Sequence, residues 1–203
     1  MREIEIKLPA PNVAALRRRI RRLGFEPLGP RQLERNSVFD TAEGTLRRSL
    51  QLLRLRAKGG RWWLTFKSRP VIESLHKVRE EVELEISDGE AFTSILEHLG
   101  YHAVFEYQKY RTEYHQPGRR GHLLLDQTPI GDFMELEGPP RWIDRIAAQL
   151  DYKPHDYIVA SYGALYFAWC QERHQPLRNM VFPAHSPGPG RRHIRPSAAS
   201  PQS

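Results

Sequence analysis

A single cysteine, Cys170, rules out an internal disulfide, and such sparing use of the residue fits a reducing, cytoplasmic setting. No apolar run approaches the roughly 20 residues that a helix needs to span a bilayer, and no charged-then-apolar leader precedes the first strand-like pattern. A membrane is therefore not an expected partner. Glycine-rich phosphate loops of the Walker type are missing, as is a Ser-His-Asp order of candidate catalytic residues. The nine histidines show no His-Glu-x-x-His or other metal-binding spacing. No repeat of fixed period is present.

Charge is abundant. The chain carries a formal +7, of which +4 belongs to Arg178, Arg191, Arg192 and Arg195 in residues 176–203, a stretch without a carboxylate. The remaining 175 residues are thus only mildly basic, which disfavours nucleic acid as a partner on global charge alone. The arginine run Arg17, Arg18, Arg19, Arg21 and Arg22 lies on the outer faces of an amphipathic helix, predicted from a cap at Asn12 to Leu23 by Val13, Leu16, Ile20 and Leu23. It reads as a solvated face.

The arrangement of charge in the strands is more informative. In Glu3-Ile4-Glu5-Ile6-Lys7, the period of two puts Glu3, Glu5 and Lys7 on one face and Ile4, Ile6 and Leu8 on the other. The pattern recurs. Residues 51–57 and 62–68 form a predicted hairpin about Gly59-Gly60, a turn that needs positive φ at both centres. This register sets Lys58 against Arg61, Arg56 against Trp63, Arg54 against Thr65 and Leu52 against Lys67, with the cations on one face and Leu53, Leu55, Leu64 and Phe66 on the other. In residues 78–86, Arg79, Glu81, Glu83 and Glu85 oppose Val82, Leu84 and Ile86. Residues 103–115 place Tyr107, Lys109, Arg111 and Glu113 in phase; residues 121–126 end at Asp126; residues 132–137 align Phe133, Glu135 and Glu137. Further strands are predicted at 34–40, and helices at 89–99 (Asp88 cap; Phe92, Ile95, Leu96 and Leu99 inward), 141–150 and 156–174.

Helices with apolar stripes can cover the aliphatic strand faces from outside, leaving the charged faces for a lumen. Clustered cations call for a polyanion between them; guanidinium forks match phosphate oxygens. Carboxylates beside them suit a hard divalent cation bridging to the phosphates. The residue types together point to a metal–polyphosphate complex. Taken singly, each charge is as well explained by solvent-facing ion pairs contributing about 0–1 kcal/mol.

The ordered set Glu3-Ile4-Glu5-Ile6-Lys7, Val38-Phe39-Asp40, Leu53-Arg54-Leu55-Arg56, Leu64-Thr65-Phe66-Lys67, Arg79 through Glu83, Lys109-x-Arg111, Leu125-Asp126 and Phe133 through Glu137 resembles the CYTH, or triphosphate tunnel metalloenzyme, superfamily. That group contains class IV adenylate cyclases, thiamine triphosphatases and inorganic triphosphatases. The resemblance implies an α+β fold: an eight-stranded antiparallel β-barrel, or tunnel, with a charged lumen and helices outside, spanning residues 1–174. A tail rich in Pro, Gly, Ser and Arg, residues 175–203, is expected to be disordered. By the same resemblance, Lys7, Arg54, Arg56, Lys67, Arg79, Lys109 and Arg111 bind triphosphate. Glu3, Glu5, Asp126, Glu135 and Glu137 hold Mg2+ or Mn2+, Asp126 alternatively orienting a cation. Glu81, Glu83 and Lys67 are the expected catalytic residues. The implied activity is metal-dependent hydrolysis of a triphosphate-containing small molecule. The alternatives are cyclisation of ATP to cyclic AMP and, outside catalysis, polyphosphate binding. One departure concerns the last helix. Relatives often carry a basic residue just before its Ser-Tyr, whereas Val159-Ala160 precede Ser161-Tyr162 here, which removes the basis for a phosphate contact from that helix.

Overall fold

The structure is a computed structural model in which residues 2–73 and 75–183 are described; residues 184–203 of the expected tail lie outside them. Among the described residues the elements run β1 (Arg2–Pro9), α1 (Val13–Arg22), β2 (Glu26–Pro27), β3 (Gln32–Thr41), α2 (Thr45–Arg48), β4 (Leu52–Lys58), β5 (Arg61–Lys67), β6 (Val71–Glu73), β7 (His76–Ile86), α3 (Gly89–His98), β8 (Tyr101–His115), β9 (His122–Thr128), β10 (Gly131–Glu137), α4 (Pro140–Gln149), a 3-10 turn (Pro154–Asp156) and α5 (Tyr162–Glu172).

Eight strands close into an antiparallel barrel in the order β1-β10-β9-β8-β3-β4-β5-β7, with β7 returning to β1. The short β2 and β6 are appended to β8 and β7. Closure rests on β1, which pairs with β10 (Glu5 opposite Glu137) and with β7 (Glu3 opposite Arg79). The β4–β5 hairpin has the register expected from Gly59-Gly60, whose φ of 58° and 78° lie in the left-handed region that glycine adopts without strain.

Unlike a barrel packed with apolar side chains, this one buries the aliphatic faces of β1, β9 and β10 outside, while Val82 and Leu84 of β7 stay exposed. Ile6 and Leu8 of β1, Leu123 and Leu125 of β9, and Met134 and Leu136 of β10 pack under Leu16 and Ile20 of α1 and Trp142, Ile143 and Ile146 of α4. Fully burying each such side chain contributes roughly 1.5–3 kcal/mol. A Cβ at Gly121 would lie 2.7 Å from the Trp142 ring, so the chain passes α4 there only as glycine. A second apolar cluster sets Leu96 of α3 on Phe39 and Leu55. None of the described helices is long and apolar enough to cross a membrane.

Three expectations need correction. Ile95 and Leu99 of α3 are exposed, not inward, because α3 is short and only its Phe92–Leu96 side meets the barrel. The last helix begins at Tyr162 rather than 156. Pro154 starts the 3-10 turn, and Ile158 then pairs antiparallel with Lys7 through N–H···O bonds of 2.9 and 2.8 Å. Finally, ordered packing continues past residue 174: Met180 is buried, its N–H donates to Glu106 O, and its carbonyl accepts from Gln108 N–H, both at 2.9 Å. The reason is side-chain chemistry, since Met180 fills an aromatic cluster of Tyr107, Tyr162 and Tyr166.

Candidate active site: a charged tunnel

The period-two alternation of the barrel strands carries their charged residues to one enclosed space. A cavity of about 660 Å3 is lined by Glu3, Glu5 and Lys7 from β1; Arg54 and Arg56 from β4; Lys67 from β5; Lys77, Arg79, Glu81 and Glu83 from β7; Lys109 and Arg111 from β8; and Glu135 and Glu137 from β10. All seven expected phosphate-binding cations lie in this lining. Of the expected metal and catalytic residues, only Asp126 lies behind it, wholly buried and directly opposite Arg111 in the β8–β9 ladder.

Two kinds of carboxylate emerge. Asp126 and Glu135 are saturated with cations. Asp126 accepts from Lys109 Nζ (2.9 Å), from Arg111 Nε and Nη2 (2.7 and 2.6 Å) and from the Tyr162 hydroxyl (2.7 Å). Glu135 receives Lys7 Nζ at 2.7 Å and Arg111 in a short contact. Against the cost of burial, Lys7, Lys109 and Arg111 hold the Glu135 carboxyl well below the usual range. Burial, then Asp126, pushes Tyr162 far up, so this phenol stays protonated as a donor. Its ring faces Lys7 and Lys109 ammonium groups at 4.4 and 5.0 Å, a cation–π arrangement in which α5 touches the lumen without supplying a charge.

Glu3, Glu5 and Glu137 form the second kind. One carboxylate oxygen from each lies within 4.8 Å of the others. Burial and the neighbouring Glu5 push Glu3 up, but Lys67 (2.7 Å) and Arg79 (3.0 Å) hold it below its ordinary value. Glu5 is likewise opposed by burial, yet Lys77 (2.8 Å) and Lys7 bring it down to about 2. Glu137 goes the other way: burial, reinforced by Glu135, Glu5 and Glu3 against Arg111, pushes it up to about 8. Three convergent hard oxygen donors, one of which keeps a proton at neutral pH for want of positive charge, fit a divalent cation.

Along the β4–β5–β7 wall, Arg54 donates to the Tyr107 hydroxyl (3.2 Å) and Thr65 Oγ1 (3.1 Å), and Thr65 donates to Glu83 (2.6 Å). Glu83 also lies 3.5 Å from both Arg54 and Arg56, and against the pull of burial Arg56 heads the groups that keep it low. Glu81, 3.0 Å from Lys67, is raised instead, by burial and by Glu3 over the counter-pull of Lys67. Glu113 and Glu85 sit nearer the rim, paired with Lys58 and Arg61.

Sequence reasoning missed Lys77, Glu34 and Tyr162. Lys77 lies in phase with Arg79 one residue before the predicted start of its strand, and Glu34 stands at the very beginning of another. The Glu34 signal was available, since it falls opposite both Lys58 and Lys109 once β3 is paired.

A closed antiparallel barrel with aliphatic faces outside and both signs of charge inside defines a tunnel-barrel protein. The chain belongs to the CYTH domain family, whose model matches residues 1–146. A Methanocaldococcus jannaschii protein named as a candidate adenylate cyclase is 28% identical over 137 residues, covering 68% of this chain and 77% of that one. Two solved structures share the fold. A Vibrio parahaemolyticus protein, also named as a candidate adenylate cyclase, has a TM-score of 0.70 at 21% identity, covering 81% of this chain and 97% of that one. A Hippeastrum protein described as a candidate adenylyl cyclase with a dominant triphosphatase activity has a TM-score of 0.61 at 21% identity, covering 87% and 97%.

Proposed function

We propose that this protein is a divalent-metal-dependent enzyme that hydrolyses a triphosphate inside the tunnel. The observation that carries the reading is the convergence of eight cationic side chains and the Glu3, Glu5, Glu137 group on one cavity of about 660 Å3. Mg2+ or Mn2+ would be held by Glu3, Glu5 and Glu137, and when bound supplies charge neutralisation at phosphate oxygens. Asp126 and Glu135, already saturated by Lys7, Lys109, Arg111 and Tyr162, orient those cations rather than ligate. Arg54, Arg56, Arg79 and Arg111 present guanidinium donors to the equatorial and leaving oxygens.

Glu81 serves as the proton acceptor, because its raised affinity for a proton suits a base more than that of the arginine-bound Glu83. Water adds to the terminal phosphorus, the bond to the bridging oxygen breaks, and Glu81 takes the water's proton. Lys67, between Glu3 and Glu81, steadies both carboxylates and faces the charge that develops. The products are phosphate and the shortened diphosphate.

A second reading, cyclisation of ATP, draws on the names of the relatives and on a side cavity of about 190 Å3. That cavity is lined by Leu28, Gly29, Pro30 and Gln32 and shares Arg111 and Glu113 with the tunnel. A substrate panel tests both. Purified protein with Mg2+ or Mn2+ is given tripolyphosphate, thiamine triphosphate and ATP, and released phosphate and cyclic AMP are measured. Phosphate without cyclic AMP is expected. Cyclic AMP moves the assignment to a cyclase, and binding without turnover moves it to a polyphosphate-binding protein.

A further inference from the structure

Seven buried side-chain polar atoms among the described residues lack a hydrogen-bond partner, and five of them lie on the β3–β4 wall: both carboxylate oxygens of Glu34, Asn36 Oδ1, and the Nε atoms of Arg54 and Arg56. Glu34 is the centre of that group. Its side chain is 0% exposed and stands behind the cavity lining, so no ligand in the tunnel reaches it. It is flanked in register by Lys58 of β4 on one side and Lys109 of β8 on the other.

Its distances are unusual. Arg56 Nη1 lies at 3.8 Å, Lys58 Nζ at 3.7 Å and Lys109 Nζ at 3.7 Å. These are too long for hydrogen bonds and too short for a water to stand between. Each cation makes its nearer contact elsewhere: Arg56 with Glu83 at 3.5 Å, Lys58 with Glu113, and Lys109 with Asp126 at 2.9 Å. Asp126 and Glu135, also buried, engage their cations directly. A buried carboxylate with no hydrogen bond is costly unless a strong positive field holds it. Here Arg111, Lys109, Arg56 and Arg54 overcome burial and keep it ionised.

We propose that Glu34 is a positioning residue of the tunnel, a shared counter-anion that holds Arg56, Lys58 and Lys109 against their mutual repulsion without occupying their N–H donors. The donors that Arg56 and Lys109 do not give to Glu83 and Asp126 thus remain available to phosphate oxygens, while Lys58, outside the tunnel lining, stays gathered with them. This role rests on the triphosphate reading of the same tunnel. It also explains why the carboxylate lies just outside bonding range, since a directly bonded Glu34 would compete with the ligand for each donor.

The test uses the full chain in chelator, so that no turnover occurs, with tripolyphosphate as the probe. Thermal unfolding is followed with and without it, and affinity is read by calorimetry. For E34Q the expected result is a lower Tm without ligand, a larger ligand-induced rise than in wild type, and tripolyphosphate binding tighter by about tenfold, the order expected from removing one like charge near a polyanion at an effective dielectric around 20. E34D, which keeps the charge, restores the wild-type shift. In Mg2+, E34Q lowers KM and kcat together, because the anion is held more tightly by cations that are less well placed. Equal ligand-induced shifts in E34Q and wild type, with KM unchanged, reduce Glu34 to a packing residue and overturn the proposal. If E34Q alone does not fold, E34Q/K58Q removes one charge of each sign and is expected to fold; a double variant that fails equally overturns it too. A wild-type protein that shows no shift with tripolyphosphate overturns the triphosphate reading itself, an outcome distinct from the loss of the Glu34 effect alone.

Discussion

Glu5 and Glu137 face each other across β1 and β10, yet one carboxyl is held down to about 2 and the other pushed up to about 8. The difference is in their partners: Glu5 has Lys77 and Lys7, while Glu137 looks mainly onto other carboxylates. Two amide substitutions should therefore separate stability from activity. Glu5→Gln strands Lys77 in a buried site and should cost about 3 kcal/mol or more. Glu137→Gln replaces a group that already holds a proton at neutral pH, so its Tm in chelator should match or exceed wild type. Both should lower Mg2+-dependent turnover by about a hundredfold or more, as expected when one preorganised transition-state stabiliser is lost. Unfolding scans in chelator beside phosphate-release assays decide it; a large Tm loss in Glu137→Gln would mean that its carboxylate is ionised and paired. Individual charges on β1, β4, β8 and β10 were legible in the sequence because a strand alternates strictly. Which carboxylates are saturated by cations and which converge was not, because that depends on register across the closed barrel.

Among the elements, the hairpin was readable to the residue, since Gly59-Gly60 admits one two-residue turn and the turn sets the register. Short structures stabilised by a side chain were not. Residue Asp40, in the expected Val38-Phe39-Asp40 segment, anchors α2: its Oδ1 accepts from Thr41 and Leu46 N–H at 2.8 Å each, and its Oδ2 from Arg47 N–H at 2.9 Å. Burial raises its pKa, but the Arg47, Leu46 and Thr41 amides outweigh burial and lower it. A carboxyl whose folded value lies below the unfolded value of about 3.9 adds stability that is fully present above that value and is lost as pH falls through the folded one. Asp40→Ala should thus cost about 1–2 kcal/mol at pH 7, and the gap from wild type should narrow below about pH 4. Chemical denaturation at pH 7 and pH 3 checks both parts, and a gap that widens in acid contradicts the assignment. The C-terminal boundary was harder to read, because residues 176–183 resemble the tail in composition while Met180 is 1% exposed. Met180→Ala should cost about 2–5 kcal/mol, measured by the same method; a neutral effect would mean that this segment adds nothing to the fold.

Across the whole molecule, the tunnel is not simply positive. Lys7, Lys67, Lys77, Lys109, Arg79 and Arg111 are already paired with Glu3, Glu5, Glu81, Asp126 and Glu135. A bare triphosphate entering this lumen must compete with those carboxylates for donors and meets repulsion from Glu3 and Glu5. A divalent cation held by Glu3, Glu5 and Glu137 would remove that repulsion and displace the proton on Glu137, so metal and triphosphate should each strengthen the other's binding. Glu81→Gln, lacking the proposed proton acceptor, allows this coupling to be measured without consuming the ligand, a condition verified by the absence of released phosphate. Its calorimetric affinity for tripolyphosphate should be at least about tenfold greater in Mg2+ than in chelator, a coupling of about 1.4 kcal/mol. Metal affinity should rise by the same factor when tripolyphosphate is present. Equal affinity with and without metal would leave the tunnel a polyanion binder whose acidic groups serve only to balance its own cations, and the catalytic reading would fall with it.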